Sequence, residues 1–436
     1  MLCSDGGNHL SPDRDKNKIS PFILAMKINK YFPFAFVYFF VNSLALPFGV
    51  TYTAILAPFF YFWIVLRKKR EFILPFIAIL SPFILVQLSY AQIERKVYFN
   101  SLLNLVLVYI FCVSVSVFVR LCKDLEKVFK PLLVINFFLC LAALAVYFTP
   151  WRPFMWIEQN ITEGVEHFWR MKLFTYEASY YATLFIPLFC FYMLQFLFRQ
   201  NKIKGWLILC MIIVPYLLSF SFGVIAALIA SGLLTYLFYF RSLTRQRRVF
   251  NGIIFTVLLS VVILSLIYIF FPDNFLVVRL ENIISGNDTS GNGRTSDAFF
   301  LAQKLIEKRN EYWGVGLGQI KIMGEAILRN YYMYDGDFIP TIPNAAAETL
   351  AIFGWIGFIL RLAIEVSLFF ITKTWTNYYR LWLFLFMFLY QFTGSFITNI
   401  AEYVIWILAF TNVFCQFDAK TKLRLGPILL PRLKVE

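Results

Sequence analysis

Along this chain of 436 residues, apolar positions come in long unbroken runs, not in the alternation of strands or the one-sided stripes of soluble helices. Runs over 72–90, 102–119, 132–148, 173–198, 253–271 and 381–396 each approach the length an α-helix needs to cross a bilayer, roughly 17–25 residues. They predict membrane-spanning helices, and the short alternating segments of a transmembrane β-barrel are missing. Hydropathy and charge together divide the chain into about twelve spans, at 31–48, 50–66, 72–90, 99–119, 131–149, 173–198, 205–219, 222–240, 250–271, 345–371, 380–397 and 400–416. Region 205–240 is the ambiguous one, holding either a tight hairpin at 219–223 or one long tilted helix. A basic run at 241–248 favours the hairpin, because it then shares a side with the other basic connections.

The expected fold class is therefore all-α: a polytopic integral membrane protein of about 12 transmembrane helices, with a large external loop carrying an amphipathic helix. Its expected parts are a polar cytoplasmic N-terminus (1–30), spans one to nine (31–271), the external loop (272–344), spans ten to twelve (345–416) and a basic cytoplasmic tail (417–436). Segments 150–172 and 272–344 are longer than connections require, and long connections usually carry function. Within the second, "GRTSDAFFLAQKLIEKRNEYWGVGLG" at 293–318 places Ala298, Leu301, Ala302 and Leu305 at helical spacing, which predicts an amphipathic helix from Ser296. Arg294 stands at the N-terminal end of that helix, where a cation is disfavoured by about 0.3–1 kcal/mol unless an anion lies beside it. Asp297 would weaken such an anion site unless it points away. The GVGLG stretch follows a helix and has the wrong spacing for a dinucleotide fingerprint, so it reads as a helix stop and tight turn.

Composition sharpens this picture. Sixty per cent of the residues are hydrophobic (60%) and only 15% are charged. The formal charge of +15 would suggest nucleic acid in a soluble protein. Here the basic residues cluster in short connections at 67–70, 120–130, 199–204 and 241–248, and in the tail at 420–434. That is the positive-inside pattern, with both termini cytoplasmic and no nucleic-acid partner. The seven cysteines show no CxxC spacing and read as buried small hydrophobes. No cleavable leader is expected in the polar first twenty residues, and Met26 is an alternative start. With only His9 and His167, a histidine metal site is not expected, nor any cofactor.

The topology places Glu177, Glu348 and Glu402 at the outer ends of spans, where ionisable groups are costly and usually functional, or else hydrated or paired at the interface. Arg152, Arg170, Lys172, Arg279 and Arg294 collect on the same side. Arginine offers a planar fork that matches phosphate, so a lipid phosphate or pyrophosphate is the expected anion. Arg361 and Glu365 stand four apart and read as a structural pair in the cytoplasmic half of the tenth span. Tyr176, Tyr180, Trp151, Trp156, Trp169 and Trp313 are candidates for stacking on sugars, or for an interfacial aromatic belt. His167 reads as an external-loop side chain.

The stretch "GRTSDAFFLAQKLIEKRNEYWGVGLGQ" followed by "PNAAAETLAIFGWIGFIL", with "FTYEASYYATL" and "LSFSFG" upstream, resembles the O-antigen polymerase and ligase superfamily over about 173–360. The resemblance implies a metal-independent glycosyltransferase of the bacterial inner membrane with its site facing the periplasm. Such an enzyme moves an oligosaccharide from a polyprenyl pyrophosphate to a sugar hydroxyl, on another repeat unit for a polymerase, or on lipid A core or another acceptor for a ligase. Glu177, Arg294, Gly314, Gly316, Asn344 and Glu348 match by position. Glu177, Glu348 and Arg294 are then the catalytic candidates; Arg152, Arg170, Lys172, Arg279, Asn344, Tyr180 and Trp313 are the substrate-binding ones. Phe222 stands where an arginine is common, so Arg152 or Arg170 would have to hold the pyrophosphate. Ala178 replaces the usual proline. Pro343 stands where ligases carry histidine, which favours a polymerase over a ligase. A flippase and a chain-length regulator are the implied partners, alongside membrane lipid. A non-enzymatic transporter of lipid-linked sugar is the rival class.

Overall fold

The computed structural model describes residues 30–42, 52–65, 73–122, 124–159, 168–198, 205–240, 265, 268–270, 275–286, 288–332 and 340–419. It is 75% helical with almost no sheet. The helices are α1 (Phe32–Phe36, continuing as a π-helix over Val37–Val41), α2 (Tyr52–Val65), α3 (Ile73–Leu88), α4 (Arg95–Leu121) and α5 (Glu126–Val146). A single turn, α6 (Arg152–Met155), precedes α7 (Ala178–Leu197), α8 (Gly205–Leu218) and α9 (Phe222–Phe238). Then come α10 (Phe275–Ser285), α11 (Ser296–Glu307), α12 (Ile320–Tyr332), α13 (Ala345–Ile371), α14 (Tyr378–Tyr390) and α15 (Ile400–Phe410). Among the described residues, four helices are long and apolar enough to cross a membrane: α4, α5, α7 and α13. Helices α1–α5, α7–α9 and α13–α15 overlap expected spans, whereas α6, α10, α11 and α12 lie in the two long connections. Most of the run at 250–271 lies outside the described residues, as do His167 and the basic clusters at 67–70, 199–204, 241–248 and 420–434.

α7 is the centre of the bundle. It is apolar on every face, and 83% of its most apolar stretch is buried, as an all-round hydrophobic helix must be. α5 runs against it: Gln195 Nε2 donates to Glu126 Oε1 (3.0 Å) at one end, and the Tyr181 hydroxyl to Asn136 Oδ1 (3.0 Å) nearer the other. α8 also runs against it, from Gly205 beside the Phe196 ring to Ser219, whose carbonyl accepts from Arg170 Nε just before α7. α14 runs against α7 as well, with Tyr378 on Phe198 at one end and Phe396, beyond its other end, beside Tyr180. α9 in turn runs against α14, since Trp382 Nε1 donates to the Leu228 carbonyl and the Tyr239 ring packs at a tilt 4.2 Å from Tyr378. α8 and α9 are thus antiparallel, joined at 219–221 with Phe220 at φ 45°, which is the hairpin and not the long tilted helix.

Asparagine caps start three of the helices. The side chains of Asn344, Asn377 and Asn399 accept from the backbone of α13, α14 and α15 respectively. Caps of this kind are worth about 0.5–2 kcal/mol each.

α13 is not one straight span. Gly354, at φ 66° and ψ −169°, breaks it into two arms. The second arm folds back far enough for Arg361 to donate to Thr349 Oγ1 (3.0 Å), a residue that lies about 18 Å away along a straight helix. A break exposes backbone groups that need partners, and the GVGLG loop supplies them. The N–H groups of Val315 and Gly316 donate to the carbonyls of Ala351 and Ile352, while those of Trp355 and Ile356 donate to the carbonyls of Glu311 and Tyr312. Gln87 on α3 completes the clamp, donating from Nε2 to the Trp313 and Ile352 carbonyls (3.0 and 2.9 Å). Glycine is required on both sides. A Cβ at Gly314 would lie 2.3 Å from the Ile352 carbonyl oxygen, and one at Gly354 only 2.4 Å from the Tyr312 carbonyl. GVGLG is therefore more than the expected turn: it is the seat of a broken helix.

α11 begins at Ser296 as its spacing predicts, and buries Ala298, Leu301, Ala302, Leu305 and Ile306. That face packs with α3, α4 and the first arm of α13 in a second core, separate from the larger one around α7. One feature has no counterpart in the helical pattern, a two-stranded antiparallel ribbon of β1 (Trp156–Gln159) and β2 (Phe168–Met171). Trp156 anchors it to α5 by donating from Nε1 to the Ala143 carbonyl (2.8 Å).

Candidate functional site

The start of α7, the residues before α11, the connection before α13 and the α14–α15 connection converge on one recess. Glu177, in extended conformation just ahead of α7, and Arg294, two residues ahead of α11, face each other across it at 3.4 Å. Both side chains are about a quarter to a third exposed (25% and 30%). A pair so placed is worth about 0–1 kcal/mol, too little to account for holding two such residues at the mouth of a cavity. The misplaced cation at the α11 N-terminus thus has its anion: the Glu177 carboxylate. Asp297 does point away, its Oδ1 accepting from the Tyr331 hydroxyl (3.1 Å). Tyr176, Tyr180 and Phe396 form an aromatic wall, with Tyr180 4.9 Å from Tyr176 and stacked 6.5 Å from Phe396.

Beside the recess lie two buried arginines. Arg170 on β2 is 6% exposed and, among the described residues, donates only to neutral acceptors, the Ser219 carbonyl (3.2 Å) and Gln159 Oε1 (2.5 Å). Burial pushes its guanidinium down to about 10, with Glu177 acting in the opposite sense and Arg294 and Arg279 adding to the fall. It stays cationic at neutral pH. Arg279 on α10 is 8% exposed, stacks 4.5 Å over the Phe222 ring, and reaches Asp288 only at 3.8 Å. Burial pushes its guanidinium down too, Asp288 opposing and Arg294 assisting. Three guanidinium groups therefore share one neighbourhood with two carboxylates.

The other candidates separate. Asn344 is a brace: Nδ2 donates to the carbonyls of Arg294 and Phe392, each at 2.7 Å, and Oδ1 caps α13. It fixes the backbone that carries Arg294. Glu348 does not line the recess; its Oε2 accepts from the Ile397 N–H (2.7 Å). Arg152 stacks over Trp169 at 3.7 Å on the ribbon, and Lys172 is half-buried at the end of β2, its ammonium pushed down by burial. Trp313 belongs elsewhere: it packs edge-on against Phe83 of α3, 5.2 Å away, and lines no part of the recess.

Arg361 and Glu365 pair as expected (3.1 Å), but not in isolation. Because α13 doubles back, Arg361 also pairs with Glu402, 1% exposed at the start of α15, and donates to Gln391 Oε1 (2.9 Å). Glu402 accepts from Ser395 Oγ (2.6 Å), which in turn accepts from Asn399 Nδ2 (2.8 Å). Ser395 and Asn399 line the recess. The expectation of a remote pair in the far half of the span is thus corrected: the break at Gly354 brings Arg361 back to the first arm of α13, and the network reaches the recess wall. Tyr390, Ser395 and Asn399 are recess residues that the sequence did not single out. The signal for Ser395 and Asn399 was present in the polar interruption "QFTGSFITN" between two apolar runs. Among the described residues there is no cluster of three His, Cys, Asp or Glu side chains suited to a metal ion.

No protein-family model matches the chain, and no curated protein matches it. The residues and their geometry carry the functional reading.

Proposed function

We propose that the chain is an integral-membrane glycosyltransferase that polymerises lipid-linked oligosaccharide repeat units. The reading places about twelve spans in the bacterial inner membrane, both termini in the cytoplasm, and the recess at the periplasmic face. The observation that carries it is a carboxylate facing a guanidinium in an aromatic-walled recess, with Arg170 buried beside it and held, among the described residues, by neutral acceptors. A buried cation held by neutral groups alone is costly, and an anionic substrate offsets that cost. The donor is a polyprenyl-pyrophosphate oligosaccharide and the acceptor a sugar hydroxyl on a second lipid-linked unit.

In this mechanism Glu177 takes the proton of the acceptor hydroxyl as its oxygen forms the new bond to the anomeric carbon. The bond from that carbon to pyrophosphate breaks, and the electron pair leaves with the pyrophosphate. Arg294 and Arg170 stabilise the charge that develops there. Tyr176 and Tyr180 offer ring faces to the sugars. A flippase would supply the substrate, and a chain-length regulator would set the product size.

A second reading has one observation in its favour. A broken helix beside buried ionisable residues is the kind of element from which transporters build a site. One experiment separates the two readings. Purified protein receives a defined lipid-pyrophosphate oligosaccharide, and the glycan is resolved by size. Ladders of longer lipid-linked glycan support the polymerase, whereas translocation without elongation supports the transporter. Glu177→Gln and Arg294→Ala should each slow elongation by about 10²-fold or more. Normal rates in both would remove these residues from the mechanism.

A further inference from the structure

We infer that Arg279 and Asp288 form a diphosphate anchor in which Asp288 is a displaceable counter-ion. Both side chains are more than nine-tenths buried, at 8% and 5% exposure. Between them the nearest approach is 3.8 Å, well beyond the 2.7–2.9 Å of a closed charge-assisted hydrogen bond. Among the described residues, Arg279 Nε and Asp288 Oδ1 both lack a hydrogen-bond partner. Unmet buried polar atoms of this kind are costly, and an ion pair that serves only the fold would close on them.

The surroundings favour an anion as the exchanging group. Stacking over Phe222 fixes the Arg279 guanidinium in place while leaving its N–H donors to bond elsewhere. Ser219, whose carbonyl holds Arg170, lies on the same turn three residues before Phe222, so one turn seats two guanidinium groups. Arg294 acts on the charge of both. With Asp288 turned away, Arg170, Arg279 and Arg294 would share their neighbourhood with one carboxylate, Glu177, which pairs with Arg294 and acts on Arg170. The surplus of two positive charges matches the charge of a diphosphate diester. The side chain that has to move sits against a glycine: a Cβ at Gly291 would lie 2.9 Å from Asp288 Oδ2.

This inference rests on reading the neighbouring recess as a pyrophosphate site, but its test does not require turnover. Full-length protein in phosphatidylcholine nanodiscs is titrated with inorganic pyrophosphate by calorimetry. Asp288→Asn removes the competing charge and should bind about tenfold more tightly than the wild type. Arg279→Ala should bind about tenfold more weakly, with Arg279→Lys between them, because it keeps the charge and loses the fork. If Arg279→Ala does not fold, Asp288→Asn decides alone, since it retains every arginine. Asp288→Asn binding no more tightly than wild type, or no binding by either, overturns the inference. So does loss of pyrophosphate binding when phosphatidylglycerol is added to the nanodiscs, which would make a phospholipid headgroup the occupant. Tighter pyrophosphate binding without any glycan elongation would sink the glycosyltransferase reading and leave the anchor standing. Elongation by a variant series with unaltered pyrophosphate affinities would do the reverse.

Discussion

Gly354→Ala tests the clamp on α13 directly. The backbone there, at φ 66° and ψ −169°, lies in a region open essentially to glycine alone, and an alanine forced into it costs about 1–3 kcal/mol. The new methyl would sit 2.4 Å from the Tyr312 carbonyl carbon and oxygen and 2.6 Å from the Glu311 carbonyl oxygen. These are backbone atoms, which cannot rotate aside as a side chain can. Relief therefore means parting the loop from the helix ends and loosening hydrogen bonds made by Val315, Gly316, Trp355 and Ile356, each worth about 1 kcal/mol. The combined penalty is about 3–5 kcal/mol. Thermal unfolding of the detergent-purified protein, followed by intrinsic fluorescence, should show a midpoint lower by about 3–5 °C. Gly223→Ala is the control: that glycine lies in α9 with its nearest neighbour at 4.0 Å, and its variant should melt with the wild type. A Gly354→Ala protein that also melts with the wild type would refute the reasoning, because the two arms could not then be held as described.

Arg361→Met should destabilise by about 3–5 kcal/mol, since it strands Glu402 and Glu365 without their guanidinium. Adding Glu402→Gln should recover part of that loss in the same melting assay, and an unchanged single variant would contradict the network. Asn344→Ala should cost about 0.5–2 kcal/mol for the cap. It also unties the backbone of Arg294, so elongation should fall by more than the loss of folded protein explains. Chelation with EDTA should leave elongation unchanged; a loss restored by magnesium would contradict a mechanism built on Glu177 and arginine.

The helices were legible because their apolar runs are long and are bounded by polar or basic connections. The buried face of α11 was legible for a similar reason, since Ala298, Leu301, Ala302 and Leu305 repeat at helical spacing. The break at Gly354 was not. A single glycine in an apolar helix usually costs only about 1 kcal/mol and leaves the helix intact, and the partner that makes this one a pivot lies some forty residues earlier in GVGLG. Arg361 was read from its neighbour four residues on, although its more deeply buried partner, Glu402, is 41 positions away. The position of Arg294 calls for an anion beside it, but nothing local points to Glu177, 117 positions upstream. Trp313 was misplaced because a loop tryptophan reads alike whether it faces water or packs on Phe83. Pattern along the chain carries local geometry; the site is built from pairings between distant segments.

The burial of α7 on all sides also sets how that helix can change. Where one face of a helix meets lipid, apolar residues exchange freely there, and tolerance to substitution rises and falls with each turn. α7 offers no such face: from Ala178 to Leu194 only Met193 escapes full burial. A saturation scan should therefore find α7 intolerant at consecutive positions, without helical rhythm, while the second arm of α13, with Ile359, Phe370 and Ile371 exposed, accepts exchange among apolar residues. Variation in such a protein is channelled into its periphery, and the helix that presents Glu177 is the part least free to drift.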